Sequence, residues 1–178
     1  MEATPVQAKQ TRSPSGLRRV LLGRKPGRTL MRAGGVAALA LVVFKFWLLP
    51  IRLEGASMEP TYKSGSVNFI NRLAYWRHEP QRGDVVGVRY SGHSIMLLKR
   101  IVGLPGETVE FVDGQLWING RRLPEPYLHY ESRWNVRPEH YRLGPDEYYV
   151  VGDNRSMPYE LHEKGAARRE RIVGRVLL

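Results

Sequence analysis

Ile95-Met96-Leu97-Leu98-Lys99-Arg100-Ile101-Val102 is an apolar run of strand length with a lysine set inside it. Strand side chains alternate between two faces, so Lys99 shares its face with Ile95, Leu97 and Ile101. A lysine buried among such neighbours is disfavoured in its charged form. Its pKa falls, and it becomes able to accept a proton. The plain alternative is an edge-strand lysine that faces water and blocks edge pairing.

The sequence around this run reads as mostly β from residue 52 to residue 178. Ser66–Ile70 and Asp84–Tyr90 are rich in β-branched and aromatic residues. Val109–Val112 and Gln115–Ile118 flank Asp113-Gly114, a two-residue signal for a type I′ hairpin, and Asn119-Gly120 marks a further turn. Glu147–Val151 reads as a strand ended by Gly152, and Ile172–Val176 as the last strand. The charged stretch 160–171 reads as a solvated loop, and Tyr127, Tyr130, Trp134 and Tyr141 as packing for a long loop.

Upstream, 33–51 (Ala33 to Ile51) is a 19-residue apolar stretch whose one charge is Lys45. About 20 apolar residues span a hydrocarbon core as a helix. Lys45 lies toward one end, where it can snorkel, and Trp47 suits an interfacial position. A buried core helix is the alternative. A cleaved signal sequence fits less well, because the apolar run is long and Glu54 spoils the small-residue pattern two positions before Ala56. Residues 1–32 hold eight Lys/Arg against one acid, Glu2, and read as a disordered basic tail. Of the net charge of +11, the part from Arg52 onward contributes only +3, so a nucleic-acid-binding body is not expected. The positive flank puts the tail in the cytoplasm and the β-rich part outside. There is no cysteine, which excludes disulfides and thiol nucleophiles. His78, His93, His129, His140 and His162 show no metal-ligand spacing, and no metal or cofactor is expected.

Ser57 stands in Gly55-Ala56-Ser57-Met58-Glu59-Pro60-Thr61. Small residues before a serine let the chain turn tightly and let a substrate approach. A serine hydroxyl needs a base to become a nucleophile, and Lys99 is the candidate. Gly152-Asp153-Asn154-Arg155-Ser156 follows a strand and reads either as an ordinary turn or as a loop that orients the lysine. In the second case Asp153 pairs with Arg100, and the Ser156 hydroxyl contacts the Lys99 amine.

These pieces resemble the bacterial type I signal peptidases. The matching blocks are 55–61, Arg82-Gly83-Asp84-Val85-Val86, 99–109 from Lys99 to Val109, and Gly152-Asp153-Asn154-Arg155, in the family's order. The resemblance implies a signal-peptidase-like β fold behind a transmembrane anchor in the bacterial inner membrane. It also implies a serine endopeptidase that removes signal peptides from secreted preproteins, with Ser57 as nucleophile and Lys99 as base. The Ser57 backbone N–H would then donate to the oxyanion. The lipid bilayer and the secretion machinery are the further partners it suggests. Two departures stand out. Gly55 replaces a serine that many members carry two residues before the nucleophile, and the last block continues Ser156-Met157-Pro158-Tyr159-Glu160.

Other classes make different demands. A conjugation-type maturation peptidase shares the dyad but not the substrate. A LexA-type autoproteolytic repressor needs a helix-turn-helix in residues 1–50. A non-catalytic anchored binding module keeps the scaffold alone.

Overall fold

A computed structural model of the chain describes residues 26–90, 96–130, 132, 134 and 140–177. The chain forms two compact units, 1–42 and 43–178. In the first, α1 runs over Pro26–Val42. Proline suits the first helical position, where its missing N–H costs nothing. A π-helical turn, Val43–Trp47, follows α1 at the start of the second unit. Gly27–Trp47 is thus a helix of 21 residues, long and apolar enough to cross a membrane, with no part of its apolar window buried.

These bounds differ from the expected 33–51. The helix includes residues 26–32, which the charge pattern places in the basic tail; residues 1–25 of that tail lie outside the described residues. At the other end, Leu48–Arg52 form a strand, β1. Pro50 cannot continue a helix, and the segment pairs instead with β2, Val67–Asn71.

The second unit is built on two antiparallel sheets. The remaining strands are β3 Val85–Arg89, β4 Met96–Gly103, β5 Thr108–Val112, β6 Gln115–Ile118, β7 Arg121–Arg122, β8 Tyr141–Arg142, β9 Glu147–Val151, β10 Gly165–Arg168 and β11 Ile172–Leu177. The larger sheet has the order β1-β2-β11-β3-β4-β9-β10, and the smaller β7-β6-β5-β8. The β5–β6 hairpin turns through Asp113 and Gly114, both at positive φ, as a type I′ turn requires. Asn119 and Gly120 repeat that geometry between β6 and β7.

Three apolar clusters hold the sheets. Val102, Phe111, Leu116, Trp134 and Val151 pack the small sheet onto the large one. Val86, Val88, Ile101, Tyr148 and Val150 fill a second cluster, and Met58, Tyr62, Ile70, Val85 and Leu98 a third. The β10 strand falls in the stretch expected to be a solvated loop. Gly165-Ala166-Ala167-Arg168 carries no β pattern of its own; it is a strand because β9 offers it an edge.

Arg155 is fully buried and ties the loop after β9 to this core. Its guanidinium donates to Glu125 at 2.5 and 3.1 Å and to the Gly152 carbonyl at 2.9 Å, and it lies 5.4 Å from the ring centres of Phe111 and of Trp134. Removing one partner of a buried ion pair strands the other charge. Arg155→Ala is therefore expected to lower the unfolding free energy by about 3–5 kcal/mol. Denaturant unfolding of the detergent-solubilised chain, followed by circular dichroism, measures it; a loss below about 1 kcal/mol would contradict the assignment.

Candidate active site

The strand β4 lies between β3 and β9, so Lys99 is not an edge lysine. Its cross-strand neighbour is Val86, and it shares its face with Ile101; both are wholly buried, as is Lys99 at 0% exposure. Leu97, two residues before Lys99, is half-buried, and Ile95, the remaining expected neighbour, lies outside the described residues. Leu98 points to the opposite face and enters the same cluster as Met58. The residue before Lys99 and the residue after Ser57 thus share one patch of core, which brings the two polar side chains together. Lys99 Nζ lies 2.9 Å from Ser57 Oγ. The serine is half-buried, so a substrate can reach it.

A chain of polar contacts fixes this approach. The Asn154 N–H donates to the Ser57 carbonyl at 2.9 Å, and Asn154 Nδ2 donates to the Ala56 carbonyl at 2.9 Å. Asp153 accepts from Arg100 Nε at 2.8 Å and Nη2 at 2.6 Å, and from Thr61 Oγ1 at 2.8 Å. Arg100 Nη1 also donates to the Gly83 carbonyl at 2.7 Å, and its guanidinium sits 4.1 Å from the Tyr127 ring centre. The expected Arg100–Asp153 pairing is therefore present as a two-pronged contact. It joins the residue next to the lysine to the loop that grips the serine. Gly152 makes the grip close: a Cβ there would stand 2.2 Å from the Ser57 carbonyl oxygen.

Ser156 does not take its expected place. It is exposed, whereas Lys99 is wholly buried, and its hydroxyl donates to Asn154 Oδ1 at 2.6 Å. Two residues from the stretch read as a solvated loop take the space beside the lysine instead. His162 is buried, packs its ring 5.0 Å from that of Trp134, and has Nε2 3.2 Å from the Asn154 carbonyl. A carbonyl only accepts, so Nε2 carries the hydrogen. Burial, then the charges of Lys99 and Arg155, push the His162 pKa down to about 4, so the ring is neutral near pH 7. Glu163, more than half exposed, has Oε2 3.8 Å from Lys99 Nζ.

Burial holds the Lys99 amine below the usual lysine range, and Glu163 pulls it partly back. The Ser57 N–H makes no hydrogen bond among the described residues and is free to donate to a bound carbonyl. Gly55 takes φ +104°, a conformation that favours glycine, with nothing within 4 Å of where a Cβ would stand. The arrangement offers a hydroxyl, a dry amine and a free backbone donor in one place. That set suits acyl transfer.

Residues 27–178 match the family model described as signal peptidase, peptidase S26. The chain is 30% identical over 148 residues to signal peptidase I V of Bacillus subtilis (strain 168), covering 76% of this chain and 88% of that protein. It is 33% identical over 146 residues to signal peptidase I of Bacillus licheniformis, covering 76% and 78%. A solved signal peptidase I from Enterococcus faecalis V583 is 28% identical, with a TM-score of 0.45 over 56% of this chain and 97% of that one. With a family match that reaches across most of its length, this chain belongs to the signal peptidase family, peptidase S26.

Proposed function

We propose that this chain is a membrane-anchored serine endopeptidase that cuts signal peptides from secreted preproteins, with Ser57 as nucleophile and Lys99 as general base. The observation that carries the reading is the 2.9 Å contact between a wholly buried amine and a half-buried hydroxyl. Neutral Lys99 takes the Ser57 proton as Oγ attacks the carbonyl that ends the signal peptide. The Ser57 N–H donates to the oxyanion. The Lys99 ammonium then gives its proton to the leaving amine, and the neutral amine activates water to release the acyl group.

The helix Gly27–Trp47 serves as the anchor, with its basic N-terminal flank on the cytoplasmic side of the bacterial inner membrane. The apolar side chains Leu39, Leu41 and Val42 are exposed along it, a surface that lipid covers. Ser57 follows Pro50 by seven residues, a reach of at most about 25 Å. Cleavage near the bilayer surface meets the substrate where its own apolar segment ends, and confinement of both to one membrane raises their effective concentration.

The reading is tested by activity, by pH and by stability. Ser57→Ala and Lys99→Ala each lose preprotein cleavage by about a thousandfold or more in detergent, read on gels against the parent; processing equal to the parent by either variant would contradict the dyad. The second concerns pH. A base works unprotonated, so kcat/KM rises with pH through an ionisation below the usual 10.5 of lysine. The same displacement costs stability. The folded chain holds this proton less tightly than the unfolded one, so the cost is full below the lowered pKa and fades as pH rises toward 10.5. Lys99→Met is therefore expected to end cleavage yet raise unfolding free energy at pH 7 by about 1–4 kcal/mol. A destabilised Lys99→Met protein would show that the amine is a structural tie.

A further inference from the structure

The groups that face the Lys99 amine differ sharply in charge. The strand β3 presents Val86 and the loop before β2 presents Ser57, neither of them charged. Arg100 adjoins Lys99 in sequence, but its charge is spent on both oxygens of Asp153. From the segment after β9 come His162, neutral near pH 7, and Glu163. Lys164 next to them turns its amine to the Tyr159 carbonyl at 2.8 Å and onto the Tyr159 ring. Tyr90 lies within electrostatic range of both Glu163 and Arg171. Glu163 is thus the one anion in ion-pair range of Lys99 Nζ among the described residues.

We propose that Glu163 is a positioning residue for the base: its carboxylate, 3.8 Å from Nζ, orients the amine toward Ser57 and stabilises the ammonium formed when the serine proton moves. The inference rests on the reading of Lys99 as general base. In the step concerned, the proton passes from Ser57 Oγ to Lys99 Nζ as the Oγ–carbon bond forms. No proton passes to Glu163 in it. An ammonium created in a dry site without a counter-charge is costly, and Glu163 lowers that cost. Its exposure in the free chain lets water dilute the attraction; a docked peptide that covers the carboxylate strengthens it. Glu163 thus does for the lysine what a buried carboxylate does for the imidazole of a serine–histidine pair, from a position open to solvent until substrate arrives.

The two consequences have opposite signs, which separates them from damage to the fold. Without the carboxylate, Lys99 loses its proton more easily, so the acid limb of the kcat/KM profile moves to lower pH. The amine is also a weaker base with a less stable ammonium, so the kcat plateau falls. The test is the pH profile of cleavage of a fluorogenic peptide with small residues one and three before the cut, by the full chain in detergent. For Glu163→Gln the limb moves down by roughly half to one pH unit. Its plateau kcat falls about threefold to tenfold, and KM stays within about twofold. Glu163→Asp keeps the carboxylate and returns the limb toward the parent. A limb that stays in place or moves up in Glu163→Gln overturns the proposal, as does a uniform loss at every pH. Lys99→Ala, run alongside, keeps the two readings apart. If it is inactive while the Glu163→Gln limb is unmoved, Glu163 has no such role and the base assignment stands. If it cleaves like the parent, the base assignment itself fails.

Discussion

An amine kept dry beside a hydroxyl governs how the second unit is built. Water would restore the lysine's proton and its ordinary basicity, so the side chain must leave solvent without finding a strong partner that fixes its charge. A central strand meets that demand. The strand β4 has β3 on one side and β9 on the other, and Val86 across from Lys99 and Ile101 on its own face are apolar and wholly buried. The exclusion of water is imposed by the sheet order as much as by the lysine's immediate neighbours.

The serine is brought to the amine by a different kind of force. The loop that carries it is irregular, and its own apolar anchor is Met58, seated with Leu98 in one cluster. Polar contacts supply the rest: Asn154 holds the backbone on both sides of the serine, Asp153 holds Arg100, and Gly152 leaves room for the Ser57 carbonyl. Each link passes through the loop after β9. Arg155 in turn fastens that loop to Glu125 and to the aromatic cluster. A short run of four residues, 152–155, therefore acts as the clamp between Ser57, Lys99 and the core.

Much of this was legible in the sequence, for physical reasons that differ by element. The hairpin at Asp113-Gly114 was readable because positive φ at both turn residues restricts residue type, and the structure has both. Lys99 was readable because a charge within an apolar strand demands an explanation. The Arg100–Asp153 pair was visible as chemistry but not as geometry. The end of the helix is hidden in the sequence because hydropathy runs on through Leu48-Leu49, while Pro50 and pairing with β2 decide the backbone. The charges of the stretch from 160 to 171 suggest solvent, which hides its tertiary role. Burial of His162, the approach of Glu163 to Lys99 and the strand β10 arise from tertiary contacts with β9 and the serine loop, which no local pattern encodes. Ser156 was placed beside the lysine by its position in the block, but its side chain is taken by Asn154 instead.

The ionisation of Lys99 itself tests the central claim most directly. Carbon-13 labelling of the lysine side chains, with Lys99→Met to assign the resonance, follows this one amine through a pH titration in the intact chain. The account predicts a midpoint displaced clearly below the ordinary 10.5 of a solvated lysine. A midpoint at or above that value would show that the amine is charged throughout the working range, and the site would have no base.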